Sequence, residues 1–162
     1  MTIDKAWFCE QIHMHQSEMY RIAYRILQNK EDTDDAVQET LYRAYTNLES
    51  IRKPEYFKTW IIRILMNTSY EILKKKKYNL NIDDYTEMIG ESEDITTSVM
   101  MEKAIAGLEE NYRNVIILYY YEDFSVKEIS KILNLSVMNV KQRLSRSRKM
   151  LKEILSERGK KI

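Results

Sequence analysis

Glycine occurs three times, proline once and cysteine once in 162 residues, and each shortage narrows what the chain can be. So little glycine and proline, beside so much Leu, Ile, Glu, Lys and Tyr, reads as an all-α protein of one domain or two small ones. A lone cysteine, Cys9, excludes an intrachain disulfide and agrees with a reducing compartment. No apolar run approaches the length that spans a bilayer, and the start lacks a signal peptide, so the expected location is cytoplasmic. Nor is there a metal cluster or catalytic triad in the pattern, which leaves an enzyme acting on DNA without a constellation to work with. No cofactor is expected.

What is present is charge, unevenly placed. The formal net charge is only +1. By blocks, residues 1–50 carry −4, 51–80 carry +6, 81–110 carry −8, 111–135 carry 0 and 136–162 carry +7. Two basic blocks separated by an acidic one suggest two separate contacts with a polyanion.

The second basic block belongs to the most organised stretch, residues 123–151, DFSVKEISKILNLSVMNVKQRLSRSRKML. Ser125 and Glu128 have capping-box spacing, in which each satisfies a backbone donor that a new helix leaves open. Val126, Ile129, Ile132 and Leu133 then fall on one helical face. Asn134 tolerates the left-handed conformation that ends a helix, Leu135 can plug the gap beneath the turn, and Ser136 offers a fresh N-cap. In the second helix Val137, Val140, Leu144 and Leu151 point inward with Ser147 between them. Met138, Gln142, Ser145, Arg146 and Lys149 take the opposite face, with Lys141 on its flank. Two helices joined by a short turn, the second cationic on its free face, meet the needs of a helix-turn-helix in a major groove. A helical hairpin with a solvated basic face has the same pattern.

Earlier in the chain, Cys9, His13 and His15 form C-x3-H-x-H, a set to weigh against a metal site, although ordinary side chains of a first helix account for them. Met19, Ile22, Ala23, Ile26 and Leu27 make a helical stripe, closed by Asn29 and Lys30. Asp32 or Thr33 can cap the next helix, whose inward stripe is Val37, Thr40, Leu41, Ala44, Tyr45 and Leu48. Its other face holds Asp35, Gln38, Glu39, Tyr42 and Arg43, which either a solvated surface or a protein-docking surface would present. Pro54 suits the first turn of a third helix. There Phe57, Trp60, Ile61, Ile64, Leu65, Thr68 and Ile72 form a broad stripe, opposite Arg63, Asn67, Tyr70, Glu71 and Lys74. Lys74, Lys75, Lys76 and Lys77 end it. The helix dipole explains one or two of these lysines, and four in succession suit a nucleic-acid strand.

Residues 78–98 lose helical period and turn acidic, which marks a linker between a domain at 1–77 and another at 99–162. In the second domain an apolar run from 115 to 118 leads into Tyr119, Tyr120 and Tyr121. Without basic partners at recognisable spacing they are expected to pack under the helix-turn-helix rather than act as nucleophiles.

With these residues assembled, the chain resembles an RNA polymerase sigma factor of the extracytoplasmic-function group, over about residues 15–157. DTDDAVQETLYRAY (32–45) is similar to the helix that grips the clamp helices of the polymerase largest subunit. FKTWIIRILMNTSYEILKKKK (57–77) resembles the segment that melts and reads the minus-10 promoter element, and residues 108–151 resemble the module that reads the minus-35 element. The resemblance implies two small helical domains joined by an acidic linker, with a helix-turn-helix in the second. It places Asp35, Gln38 and Glu39 on core polymerase. Arg63, Asn67, Glu71, Lys74 and Lys75 are placed on the minus-10 strand, and Ser136, Lys141, Gln142, Ser145 and Arg146 on the minus-35 duplex.

Three positions depart from the family's pattern. Glu71 stands where Asp or Asn is common, Glu109 where a proline usually follows the leucine, and Gln142 where Ser or Thr is common. The first and third bear on promoter preference, the second on how a helix begins. The partners implied are core RNA polymerase, promoter DNA and an anti-sigma factor, usually membrane-anchored. A monomer is expected when the protein is free. A free-standing helix-turn-helix regulator is the alternative, and it would have to dimerise to reach two half-sites.

Overall fold

A computed structural model describes residues 2–79 and 97–160. Seven α-helices and no strand occur among the described residues. The chain divides into two compact units, Met1–Ile82 and Asp83–Ile162.

In the first unit α1 (Lys5–Leu27), α2 (Lys30–Thr46) and α3 (Phe57–Asn79) each pack on the other two. Asp4 caps α1, its carboxylate accepting the Trp7 N–H at 2.9 Å. The helix therefore starts early enough to bring Trp7 and Phe8 into the core, where both meet Phe57 edge-on at 5.2 and 6.1 Å between ring centroids. Trp60 and His15 also approach Phe57, at 5.9 and 6.0 Å. This aromatic cluster closes one end of the bundle over Met19, Ile22, Ile61 and Leu65, all buried. Hydroxyls fill the tighter places. Thr40 and Ser69 are fully buried and donate to the carbonyls of Ala36 and Leu65, each at 2.7 Å, so neither costs an unmet hydrogen bond.

Several expectations need correcting here. Gln28, left-handed at φ 54°, closes α1, and Asn29 opens α2 by accepting the Asp32 N–H at 2.9 Å. Asn29 is thus a beginning rather than an end, and neither Asp32 nor Thr33 is the cap. Tyr45, expected inside, is half exposed against Phe8. Tyr70, expected outside, is buried, because the α3 core face extends through Ile62, Met66, Ser69 and Leu73. That face is wider than a single stripe since α3 touches both other helices. Trp60, Ile64 and Ile72 are only half-buried.

In the second unit α4 (Thr97–Ala106), α5 (Glu110–Ile116) and α6 (Val126–Leu133) all pack on α7 (Val137–Lys160). After α5 the backbone widens into a π-helical turn, Ile117–Tyr121, ended by the Glu122 N–H donating to the Ile117 carbonyl five residues back. The turn keeps Ile117 and Leu118 in the core beside Val115, Ile116, Phe124 and Ile129. It leaves Tyr119 and Tyr120 outside, stacked edge to face at 5.0 Å, so these two do not pack under the helix pair as expected. Val137 is another residue expected inside that the structure leaves exposed, at the first position of α7.

Most of the stretch expected as a linker, 78–98, lies outside the described residues. Its ends are helical: Tyr78 and Asn79 still belong to α3, and Thr97 and Ser98 to α4.

Candidate nucleic-acid interface

The α6–turn–α7 pair is built by local hydrogen bonds that its sequence specifies. Ser125 accepts the Glu128 N–H at 3.1 Å while the Glu128 carboxylate accepts the Ser125 N–H at 2.8 Å, a complete capping box. Asn134 ends α6 at φ 55°, and the Leu135 N–H donates to the Ser130 carbonyl at 3.0 Å. The Ser130 hydroxyl returns a bond to the Leu135 carbonyl, which locks the turn from both sides. Ser136 then accepts the Asn139 N–H at 3.0 Å, so its hydroxyl is first of all the cap of α7.

Val140, Leu144, Ser147 and Leu151 anchor α7 in the unit. Ser147 permits close approach to α5, its hydroxyl lying 3.2 Å from the Tyr112 carbonyl and 2.6 Å from that of Arg143. The face turned away carries Met138, Lys141, Gln142, Ser145, Arg146 and Lys149, all exposed. The structure thus gathers Lys141, Gln142, Ser145 and Arg146 on one accessible side of a helix-turn-helix, with Ser136 exposed at the N-terminus of α7. Arg143 is different from its cationic neighbours. It donates to Asn139 at 3.0 Å and to Asn111 at 3.3 Å, tying α7 back to α5. The i,i+4 spacing of Asn139 and Arg143 was readable in the sequence; the link to Asn111 was not.

On α3, Arg63, Asn67, Glu71 and Lys74 recur at helical spacing on one exposed stripe. The lysine run does not act as a block. Lys74, Lys75 and Lys77 are exposed, but Lys76 is half-buried and its ammonium pairs with Asp32 of α2 at 2.7 Å. The Lys76 charge is therefore committed inside the unit.

Asp35, Gln38 and Glu39 share an exposed face of α2, continued one turn on by Tyr42, which is two-thirds exposed. They also line an open groove of about 600 Å³, whose other wall is Glu71 and Lys75 of α3. The groove brings two residues assigned to DNA beside three assigned to polymerase, a juxtaposition the sequence did not announce. Arg43 joins the walls, donating to Glu71 at 2.8 Å, to Glu39 at 3.0 Å and to Thr68 at 3.3 Å. The Arg43 hydrogen bond holds the Glu71 carboxyl below its ordinary value, and Glu71 in turn raises the Arg43 guanidinium.

The second unit also has an apolar groove of about 550 Å³, floored by Met101, Ile105, Ile116, Leu151 and Leu155 and edged by Arg148 and Lys152. Arg148 donates to the Tyr120 hydroxyl at 2.9 Å. Among the described residues no group of three or more His, Cys, Asp and Glu side chains could hold a metal ion. Cys9 and His13 are exposed on α1, and His15 instead lies 3.6 Å from Glu18. No helix among the described residues is long and apolar enough to cross a membrane.

Comparison with known proteins matches residues 11–78 to the family model described as Sigma-70 region 2, and residues 98–151 to that described as Sigma-70, region 4. The chain is 33% identical to RNA polymerase sigma factor SigV of Bacillus subtilis over 85% of this chain and 84% of that protein. It is 31% identical to ECF RNA polymerase sigma factor SigW of the same organism over 95% and 91%. Among solved structures, the sigma factor RpoE in complex with the anti-sigma factor NepR from Bartonella quintana aligns with a TM-score of 0.73 at 24% identity, over 92% of this chain and 96% of that one. CnrH, solved with the cytosolic domain of CnrY, aligns at 0.72 and 24% identity over 95% and 90%. These last two likenesses are of fold.

Proposed function

Because the chain belongs to the extracytoplasmic-function group of sigma-70 RNA polymerase sigma factors, we propose how its surfaces divide the work of promoter-specific initiation. As a sigma factor it directs core RNA polymerase to promoters, and members of this family are not enzymes. The match across 11–78 sets aside the free-standing regulator, which has no use for such a module.

In our reading Asp35, Gln38 and Glu39 dock on core polymerase through the exposed acidic face of α2. Arg63, Asn67, Glu71, Lys74 and Lys75 on α3 meet the minus-10 strand. Lys141, Gln142, Ser145 and Arg146 enter the minus-35 major groove, and Ser136 meets DNA at the N-terminus of α7, where backbone N–H groups favour phosphate. Residues 1–77 and 99–162 act as separate modules, with 78–98 as the acidic tether that spaces them. The reaction needs no covalent step: bases captured out of the stack bind better than paired ones, so capture shifts the duplex toward its melted state. The chain works in the cytoplasm without a cofactor and is itself no enzyme. Its partners include an anti-sigma factor, for which the apolar groove beside α7 is a suitable seat.

The observation that carries this reading is the pair of exposed cationic helix faces, α3 and α7, one in each matched region. In-vitro transcription with core polymerase on a random-promoter library tests it. Enrichment of a two-part promoter motif is the expected result. Failure of the purified chain to join core enzyme, or joining without directed initiation, would refute it.

A further inference from the structure

Arg43 bridges the two walls of the groove between α2 and α3. Its guanidinium spends three N–H groups on three acceptors: Glu39 on its own helix, and Thr68 and Glu71 across on α3. Arginine is suited to this because its donors sit in a planar fork, whereas a lysine ammonium at the same place is a point charge that keeps attraction and loses direction. Glu71 needs such an anchor. It is more than half exposed, on an unbranched side chain that would otherwise wander over several rotamers.

We propose that Arg43 is a positioning residue for minus-10 recognition: it fixes where the Glu71 carboxylate points, and so which base edge the α3 face accepts. This rests on the reading above that α3 meets the minus-10 strand. Arg43 engages Oε2 of Glu71, and the side chain stays more than half exposed, so the held carboxylate keeps capacity to accept a further hydrogen bond. An ionised carboxylate only accepts hydrogen bonds, so the position it faces favours a base with an exocyclic amino group and disfavours a carbonyl edge. Arg43 itself touches no base.

The test uses the full chain with core polymerase, at saturating factor, on promoters randomised across the minus-10 element. Arg43→Ala should change the relative use of amino-bearing and carbonyl-bearing bases at one position by roughly tenfold, the scale of a lost charge-assisted hydrogen bond. Arg43→Lys, which keeps charge and helix propensity, should fall between, and covers the case in which the alanine variant folds poorly. In a Glu71→Ala background Arg43→Ala should shift the preference no further. A uniform loss of output with the base profile intact would reduce Arg43 to a structural strut and overturn the proposal. So would an equal shift in the Glu71→Ala background. Absence of directed initiation by the unsubstituted chain would bring down the underlying reading as well, which separates the two failures.

Discussion

Single side chains decide both how this protein holds its surfaces and how those surfaces respond to conditions. The Glu71 carboxyl lies below its ordinary value of 4.5 because Arg43 hydrogen-bonds it, with Lys75 adding a weaker attraction. A lowered folded-state value means that the pair stabilises the fold fully above the ordinary value and loses that contribution as pH falls through the lowered one. Glu71→Gln should therefore flatten the fall in melting temperature on acidification relative to the parent chain. The difference should be small and salt-sensitive because both partners are substantially exposed. Arg146, exposed on α7 beside Ser145, is one of the residues proposed above to meet the minus-35 duplex. Arg146→Ala should lower promoter-dependent transcription roughly tenfold while leaving association with core polymerase intact, as measured by run-off assay and co-elution; a loss of co-elution would contradict its assignment to DNA.

Helices are the level at which the sequence was most legible, and also where its limits show. Around the helix-turn-helix, period found the buried residues Ile129 and Ile132 on α6 and Val140, Leu144, Ser147 and Leu151 on α7. The capping box that opens α6 was likewise readable, because its two partners are three residues apart. Ser125→Ala should cost about 1 kcal/mol in urea unfolding. On α3 the buried face is broad, taking in Ile62, Met66, Ser69 and Leu73 beside the expected stripe, and Tyr70 went to the wrong side. The α1–α2 junction misled for another reason. Asn29 suits either end of a helix, and only the left-handed Gln28 before it decides which. The candidate polymerase face on α2 was legible as a face, but its groove was not, since Arg43 meets Glu71 across 28 residues of sequence. Asp35→Arg reverses charge on that face at an exposed site and should abolish co-elution with core polymerase while leaving the helical circular dichroism spectrum unchanged.

At the scale of the whole chain, neutrality hides polarity: a net charge of +1 is made from blocks of −4, +6, −8, 0 and +7. Cations that meet phosphate release counterions, and each cationic helix alone offers only a few such contacts. Free protein should therefore sediment as a monomer and show negligible promoter affinity in a gel shift, with binding appearing when core enzyme is added and weakening steeply with salt. Tight sequence-specific binding by the protein alone would contradict this. The separation of two basic blocks by an acidic one could be read from composition. The wide turn at Ile117–Tyr121 could not, since nothing in a run of apolar residues and tyrosines distinguishes it from ordinary helix.

That turn holds one residue more than an α-helical turn needs. It works as slack in the length of the chain. Loss of an exposed residue there, Tyr119 for example, lets the backbone tighten to regular helix while α6 and α7 keep their seats. The same deletion inside α7 has no slack to draw on and swings every later side chain by about 100° around the axis. Natural variation in chain length should accordingly be forgiven just upstream of the helix-turn-helix pair and punished within it.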